Sequence, residues 1–248
     1  MNTTIEGKVA LVTGSNRGIG RAIVEALLAR GATKVYATAR NTDSLQSLVE
    51  SSDGRVVPFA LDVTDADQVA GIAEQAGDAQ IVVSNAGYAG QTDLFADDLS
   101  DARQEHEVNY WGTLNVARAF VPVIENNGGG APVNMASIGS LVSFPMYPTY
   151  SDSKAAVHSL TQGLRLLRGP SVQVVGVYPG PVDTDMASKI EIDKATPQSV
   201  AEEIVDGLES GAVEVFPDVM AKDYAGPYEA GTKTLERQTA EMLASMAG

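Results

Sequence analysis

Residues 8–20 restrict the fold of this chain more than any other stretch. They read KVALVT and then GSNRGIG, so an apolar run typical of a β-strand passes directly into a turn with three glycines. Apolar residues at helical spacing follow as far as Arg30, Gly31 ends that pattern, and a second strand is predicted at Lys34–Ala39. Strand, glycine turn, helix and strand together have the size of one βαβ unit.

The glycine turn also predicts an anion site. Glycines at positions 14, 18 and 20 permit a tight turn and let the backbone approach a phosphate. The helix that follows presents free N–H groups and the positive end of its dipole to the same anion. The glycines at positions 128–130 come after a helix and before a strand, which is the wrong order for such a site and indicates a connecting turn.

Strands and helices continue to alternate along the chain. Helices are predicted at about 66–76, 102–125 and 197–208, and another begins near Pro148. The further strands are predicted at Val56–Leu61, Ile81–Ser84, Pro132–Ala136, Val172–Val177 and Val213–Phe216. Seven strands that alternate with helices predict a single α/β domain over residues 1–248, a Rossmann-type, doubly wound, mostly parallel sheet with helices on both faces.

Composition excludes several classes of function. The chain has 248 residues, no cysteine and two histidines, His106 and His158, so we expect no disulfide, no thiolate metal site and no histidine-based zinc site. A net charge of −15 argues against nucleic acid and anionic membranes as partners. Neither a signal peptide nor a membrane-spanning stretch is apparent in the sequence, which favours a cytoplasmic location.

Three polar residues close to one another in sequence suggest proton chemistry. Tyr150 and Lys154 are spaced i, i+4, so they share one face if the segment is helical. An ammonium beside a phenol favours the phenolate, and Lys154 is therefore expected to lower the pKa of Tyr150 into a range useful for proton transfer. Ser137 is the candidate hydrogen-bond donor to the oxygen of the reacting group.

The order of these motifs resembles the short-chain dehydrogenase/reductase family over nearly the whole chain. The family's T-G-x-x-x-G-x-G pattern is matched by the stretch that begins at Thr13, and its N-A-G element by Asn85–Gly87. Further matches to family motifs are Asn109, Ser137, Tyr150, Lys154 and Pro179–Gly180. Ser84 and Ala136 depart from the pattern, since many relatives have a second asparagine and a second serine there.

The resemblance implies a role for each matched residue. Tyr150 would be the general acid in reduction and the base in oxidation, Lys154 would lower its pKa and hold the nicotinamide ribose, and Ser137 would polarise the carbonyl. Asn109 would bend its helix around a water that links Lys154 to solvent. Thr13 is expected to stabilise the turn, and Trp111 to pack in the core or an interface. The cofactor-binding residues implied are Gly14, Asn16, Arg17, Gly18, Ile19, Gly20, Arg40, Asn41, Asp62, Val63, Asn85, Ala86, Gly87, Tyr150, Lys154, Pro179, Gly180, Val182 and Thr184.

The second predicted strand indicates NADP(H). NAD enzymes of this fold place an acidic residue at its end to bind the ribose 2′-OH, whereas alignment with the family puts Ala39 there, followed by Arg40. A second guanidinium, Arg17, lies in the glycine turn, and Asn41 offers a neutral donor. Two arginines suit a 2′-phosphate, so a preference for NADP(H) of at least tenfold is expected.

The loop between Ser137 and Tyr150 borders the substrate in the family. Its apolar side chains predict a pocket for aryl or alkyl ketones, although packing beneath the loop explains them equally well. The predicted substrate-lining residues are Gly139, Leu141, Phe144, Met146, Tyr147 and Met186. A short lid at about 185–195 predicts an open cleft.

Assembly and the chain's end are further expectations. Relatives pair through two long helices, here about 102–125 and 149–168, so we expect a homotetramer before a homodimer. The tail at about 226–248 contains helix formers, with Leu235, Met242, Leu243 and Met246 on a rough stripe.

The resemblance leaves three functions open. The leading one is an NADPH-dependent carbonyl reductase or alcohol dehydrogenase acting on a small molecule. A 3-oxoacyl-carrier-protein reductase is a second, but its acidic carrier needs a basic docking face, and 17 Lys+Arg stand here against 32 Asp+Glu. A non-catalytic NADP-binding sensor is a third, although such proteins usually lose the tyrosine or the lysine.

Overall fold

The computed structural model describes residues 2–90, 92–144 and 146–231, which form one seven-stranded parallel sheet. The strand order is β3-β2-β1-β4-β5-β6-β7, and every neighbouring pair is parallel. The strands are β1 Val9–Val12, β2 Lys34–Ala39, β3 Val56–Ala60, β4 Ile81–Ser84, β5 Ala131–Met135, β6 Val175–Val177 and β7 Glu214–Val215. The doubly wound fold predicted from the sequence is confirmed, and the sheet is wholly parallel in the described residues.

Helices cover both faces of this sheet. The described helices are α1 Gly18–Ala29, α2 Gln46–Glu50, α3 Ala66–Gln75, α4 Ser100–Glu105, α5 Gly112–Asn126, α6 Pro148–Leu167, α7 Pro197–Ser210 and α8 Val219–Ala230. Buried side chains of α1, α2 and α7 form one core with the sheet, and those of α3, α5 and α6 form the other. Each face therefore has its own hydrophobic core, as a sheet between two helical layers requires.

Strand β1 shows how side chains are divided between the two cores. Ala10 and Val12 are buried in the α1 and α7 core, whereas Leu11 between them is buried in the α3 and α5 core. Successive strand residues point to opposite faces, so a strand buried on both faces is apolar throughout. This explains the continuous apolar run from which the first strand was predicted.

Four boundaries differ from the sequence prediction. The helix expected at 102–125 is interrupted by a π-helical segment, His106–Trp111, between α4 and α5. A 3₁₀ turn, Thr42–Leu45, and α2 were not predicted. Strand β6 is shorter than 172–177, since Val172 makes only an isolated bridge to Gly130.

The fourth difference concerns the end of the chain. Helix α8 begins at Val219, before the expected start near Gly226. The predicted stripe of Leu235, Met242, Leu243 and Met246 lies outside the described residues. Within the described ranges, no helix is long and apolar enough to cross a membrane.

Topology fixes where a ligand site can form. The chain builds the sheet outward from β1 in one direction through β2 and β3, then returns to place β4 on the other side of β1. Loops leaving the carboxyl ends of β1 and β4 therefore diverge and leave a crevice between them.

Candidate active site

A cavity of about 910 Å³ occupies this crevice. Most residues predicted from the sequence to bind a cofactor line it, together with one predicted substrate residue, Met186. The predicted residues that line the cavity are Gly14, Asn16, Arg17, Gly18, Ile19, Gly20, Arg40, Asn41, Asp62, Val63, Asn85, Ala86, Gly87, Tyr150, Lys154, Pro179, Thr184 and Met186. Residues far apart in sequence thus meet at one place, which has the size of a small-molecule site.

The glycine turn forms one wall because larger residues do not fit there. Gly14 and Gly18 have positive φ angles of 66° and 54°, a conformation that favours glycine. A Cβ at Gly20 would lie 2.2 Å from the carbonyl oxygen of Gly14, so the turn packs against the first turn of α1. The backbone N–H groups at the start of α1 are thereby brought to the cavity wall, where they can bind an anion.

Thr13 ties this turn to the strand beside it. Its Oγ1 accepts hydrogen bonds from the backbone N–H groups of Asn85, at 2.9 Å, and Ala86, at 3.0 Å. In return the Asn85 side chain donates to the carbonyl oxygen of Thr13, at 2.9 Å. These hydrogen bonds support the predicted role of Thr13 as a turn stabiliser.

The end of β2 carries no acidic side chain. Ala39 ends the strand with its side chain buried, and Arg40, which follows, is exposed and lines the cavity. The Oδ1 atom of Asn41 accepts from the backbone N–H of Asp43, at 2.9 Å, which starts the 3₁₀ turn and leaves the amide N–H groups of Asn41 for other partners.

The second predicted arginine is held by the lid. Arg17 Nη1 lies 2.7 Å from the Asp185 carboxylate, and both side chains are largely exposed. The lid approaches the glycine turn closely, since a Cβ at Gly18 would lie 3.1 Å from Thr184. An exposed ion pair contributes little free energy, so Arg17 can exchange Asp185 for another anion.

Tyr150 and Lys154 line the cavity next to β5, whereas Arg40 follows β2. Both are on the first turns of α6, which starts with Pro148 at a position that suits proline. Lys154 Nζ donates to the carbonyl oxygen of Met135, the last residue of β5, at 2.8 Å, and lies 5.8 Å from the centroid of the Tyr150 ring. The i, i+4 spacing therefore brings the two side chains to one face, as the sequence predicted.

Burial dominates the protonation of this pair. It raises the pKa of the Tyr150 phenol to about 12, against the smaller lowering effect of a hydrogen bond with Ser137. Burial also lowers the pKa of Lys154 to about 8, because its ammonium is taken out of water. The net lowering of the Tyr150 pKa expected from the sequence is not found, because burial of the phenol outweighs the effects that lower this pKa.

Ser137 begins the 3₁₀ turn Ile138–Ser140 at the end of β5. Its Oγ accepts from the backbone N–H of Gly139, at 3.1 Å, and donates to the carbonyl oxygen of Pro179, at 3.3 Å. A hydroxyl held in this way beside the Tyr150 phenol can turn its donor toward a polar group placed between them.

Asn109 connects the π-helical segment to the active-site loop. Its Nδ2 donates to the carbonyl oxygen of Tyr88, at 2.9 Å, and to Ser153 Oγ, at 2.8 Å, while its Oδ1 accepts from the Tyr88 backbone N–H, at 2.8 Å. Both amide hydrogens are thus bound to protein atoms. A π-helical segment interrupts the helix at Asn109, while the expected bend and the water-linked relay stay predictions.

The predicted substrate loop packs mainly away from the cavity. Leu141 packs against the cluster of Ala136, Val157 and Tyr178, and the Phe144 ring lies 6.0 Å from that of Tyr224 in α8. Met146 is 73% exposed. Apart from Met186, none of the predicted substrate residues lines the cavity, a set that comprises Gly139, Leu141, Phe144, Met146 and Tyr147.

Three further residues with expected roles lie outside the cavity lining. Gly180 and Val182 do not line the cavity; the Gly180 backbone N–H donates to Asp218 at 2.8 Å, and Val182 is buried and bridges to Ala195. Trp111 is 48% exposed, so of its two expected environments the core is excluded, and packing in an interface stays a prediction.

Sequence reasoning missed a second set of lining residues. They are Arg21, Ala22, Ser44, Leu61, Tyr88, Gln104, Val108, Met135, Ala136, Asp183, Asp185, Pro197 and Gln198. Tyr88 directly follows the N-A-G element and could have been found from that position. Pro197 and Gln198 start α7 and meet the site only through the folding of the lid, which no local pattern indicates.

Comparison with known proteins agrees with this arrangement. Residues 8–195 match the family model for short chain dehydrogenase. The chain is 41% identical to a short chain dehydrogenase from Burkholderia cenocepacia J2315 solved in complex with NADP, with a TM-score of 0.86 and 95% of this chain and 98% of that chain covered.

Two curated relatives are similar over most of the chain. An uncharacterized oxidoreductase of Staphylococcus aureus (strain N315) is 34% identical over 217 residues, which cover 83% of this chain and 93% of that protein. A 3-oxoacyl-(acyl-carrier-protein) reductase of Thermotoga maritima is 33% identical over 193 residues, which cover 75% of this chain and 78% of that protein.

Proposed function

This chain belongs to the short chain dehydrogenase family and is an oxidoreductase of that type, and from this premise we propose that it interconverts ketones and secondary alcohols with NADP(H). The observation that carries the proposal is the position of Tyr150 and Lys154, which share one face of α6 and line the same cavity as the glycine turn. A proton donor and an anion-binding turn thus border a single cavity.

The cavity fits a dinucleotide cofactor. Its glycine wall excludes a Cβ at Gly20, the first turn of α1 contains no acidic residue, and the volume is about 910 Å³. In this proposal the backbone from Gly14 to Gly20 binds the pyrophosphate, Asp62 and Val63 border the adenine, and Lys154 binds the nicotinamide ribose. A bound NADPH supplies the hydride to the carbonyl carbon.

The protein's own residues complete the reaction with a proton. Tyr150 donates its phenolic proton to the carbonyl oxygen as the carbon receives hydride, so the ketone becomes a secondary alcohol and the phenolate regains a proton from solvent. Ser137 donates a hydrogen bond to the same oxygen and orients it. Lys154 carries a positive charge near the phenolate that forms, which stabilises that state more than the starting phenol.

Arg40 and Arg17 support NADP(H) as the cofactor. Ala39 leaves no carboxylate to repel a 2′-phosphate, and Arg40 lies exposed at the cavity beside it. The similar Burkholderia protein was solved with NADP, which agrees with this assignment. Once Arg17 breaks its ion pair with Asp185, it would join Arg40 in binding the 2′-phosphate.

Tyr150→Phe tests the reaction. The change keeps the ring and removes the proton, so we expect loss of most turnover with little change in NADPH affinity. NADPH oxidation is followed with a panel of aryl and alkyl ketones, and cofactor binding by titration of NADPH fluorescence. Near-normal kcat in Tyr150→Phe would rule out Tyr150 as the proton donor. If the wild-type protein binds NADPH tightly but turns over no ketone or alcohol, the non-catalytic NADP-binding sensor is favoured instead.

A 3-oxoacyl-carrier-protein reductase is the second candidate because of the similar Thermotoga protein. The net charge of −15 speaks against docking of an acidic carrier. Comparing a 3-oxoacyl thioester on the carrier with the same acyl group on a short thiol distinguishes the two. A strong preference for the carrier-bound form would favour this second function.

A further inference from the structure

An ion pair joins the lid, residues 185–195, to the glycine turn. Asp185 Oδ2 lies 2.7 Å from Arg17 Nη1, and both residues line the cavity. Asp185 begins a 3₁₀ turn, and Met186 in that turn also lines the cavity. The pair therefore places an acid and a base side by side at the cavity, and of the two only the guanidinium suits an anionic ligand.

The two ends of the lid are tied together. Val182 and Ala195 form a parallel bridge, and the Asp183 backbone N–H donates to the carbonyl oxygen of Ala195, at 2.8 Å. Inside the lid, Lys194 Nζ donates to the carbonyl oxygen of Ala187, at 3.1 Å. These contacts form the base of the lid independently of the glycine turn, so the ion pair with that turn can break without unfolding the loop.

Arg17 lies where a phosphate of a ligand would also bind. The glycine turn is hydrogen-bonded to β2 near the end of that strand, since the Ser15 backbone N–H donates to the carbonyl oxygen of Thr38, at 2.9 Å. Arg40 follows two residues after Thr38, is exposed and lines the same cavity. A phosphate between the turn and the strand end would meet both guanidiniums. Asp185 already holds one of them, so the lid and the phosphate compete for Arg17.

We propose that Asp185 occupies the place of the cofactor's 2′-phosphate on Arg17, so that the lid is held against the glycine turn until NADP(H) binds and releases it. The proposal rests on the proposed use of NADP(H) and adds a regulatory contact to that site. An exposed ion pair is weak, and a phosphate carries more charge than one carboxylate. Once displaced, the Asp185 carboxylate is repelled by the bound phosphate, and the edge of the lid that carries Met186 moves away from the turn. NAD(H) lacks this phosphate and leaves the pair in place.

Asp185→Asn tests the competition without a carbonyl substrate. The probes are adenosine 2′,5′-bisphosphate, which carries the 2′-phosphate, and adenosine 5′-monophosphate, which lacks it, each titrated by calorimetry at low ionic strength. We expect Asp185→Asn to bind the bisphosphate about two- to fivefold more tightly than wild type, the size of an exposed ion pair, and the monophosphate with unchanged affinity. In an Arg17→Gln background the same change should have no effect, because the competing contact is already absent.

Asp183→Asn is the matched control. Asp183 lines the cavity two residues earlier, is as exposed as Asp185, and has its charged partner, Lys194, at 4.0 Å. An equal gain in Asp183→Asn, or a gain that persists without Arg17, would show a general effect of charge and overturn the proposal. Unchanged or weaker binding of the bisphosphate by Asp185→Asn would overturn it as well. If wild type binds the two nucleotides equally, the assignment of NADP(H) fails, and this proposal fails with it.

Proteolysis of the lid gives a second readout. Lys189 is an exposed lid residue, and endoproteinase Lys-C cleaves after it more readily when the lid is released. Mass spectrometry follows the peptide that ends at Lys189. We expect faster cleavage in unliganded Asp185→Asn than in wild type, and in wild type on addition of the bisphosphate but not of the monophosphate. A bisphosphate that leaves this cleavage unchanged or slows it would overturn the release of the lid.

Discussion

At the scale of single residues, burial sets the protonation states of Tyr150 and Lys154, the two central groups of the proposed reaction. Tyr150 is held as the acid and Lys154 has its pKa lowered to about 8, so each is shifted toward its neutral form. The i, i+4 spacing predicted that the pair would meet, but burial cannot be read from a spacing, and the predicted direction for Tyr150 was therefore wrong.

Arg40 and Ala39 decide the cofactor preference in our proposal. Arg40→Ala removes a charge-assisted hydrogen bond worth about 1.5–3 kcal/mol, so the preference for NADPH over NADH should fall about tenfold or more. Ala39→Asp should reverse the preference by repelling the 2′-phosphate and accepting from a ribose hydroxyl.

Steady-state kcat/KM with both cofactors measures these effects. Arg103→Ala is the matched control, because Arg103 is exposed and is not among the residues lining the cavity. Equal kcat/KM for the two cofactors in wild type would refute the assignment. A ratio unaffected by Arg40→Ala would refute the part given to that residue.

At the scale of elements, the positions of strands and long helices followed from local pattern, whereas their irregularities did not. The π-helical segment His106–Trp111 has no signal in the sequence spacing, because one extra residue in a turn is stabilised by contacts from elsewhere, here Asn109 with Tyr88 and Ser153. Likewise the ring of Phe144 meets Tyr224 of α8, a partner 80 residues away in sequence, so the loop's packing could not be foreseen.

Helix α8 is joined to the turn after β6 through one carboxylate. Asp218 Oδ1 accepts from the backbone N–H of Ala221, at 2.9 Å, as the N-terminal cap of α8, and its Oδ2 accepts from that of Gly180, at 2.8 Å. A single side chain therefore positions both the helix and the turn beside Pro179, which lines the cavity.

Asp218→Ala should weaken both contacts. Loss of a helix cap costs about 1–2 kcal/mol, which for a chain of this size lowers Tm by about 2–4 °C per kcal/mol. We also expect a higher KM for the carbonyl substrate, because the turn beside Pro179 loses its anchor. Thermal unfolding and steady-state kinetics check this, with Asp223→Ala, an exposed acid on the same helix, as the control. A variant with unchanged Tm and KM would contradict this role.

At the scale of the whole molecule, the order of strands and helices was sufficient to predict the doubly wound sheet and the edge that carries the site. Parallel strands must be joined by crossovers of one hand, so few topologies remain once the elements are known. The cavity's cofactor end was predicted residue by residue, because the backbone of one local turn forms it. Its other end combines segments from α4, α6 and the lid, which only the folded chain brings together.

Assembly is a prediction at the same scale. We expect a homotetramer, or a homodimer, formed through α5 and α6, and the half-exposed Trp111 beside α5 is consistent with a covered surface there. Light scattering at micromolar concentration measures the mass, and Trp111→Ala should shift the equilibrium toward smaller species. A monomeric wild type would refute the expectation.

The stability of the whole fold should depend on pH through Lys154. Its pKa falls from 10.5 to about 8 on folding, so between these values the unfolded chain binds a proton that the folded chain does not. Stability therefore rises with pH across this window, and below it the buried ammonium costs an upper limit of roughly 3 kcal/mol.

Lys154→Met removes this cost, and its free energy of unfolding should exceed that of wild type below about pH 8 and converge with it toward pH 10.5. Urea unfolding at several pH values measures the difference, with the exposed Lys222→Met as the control. Tyr150 titrates in both wild type and Lys154→Met, so its contribution cancels in the difference between their free energies of unfolding. A difference that is independent of pH, or that grows as pH rises, would show that Lys154 is not buried as an unfavourable charge.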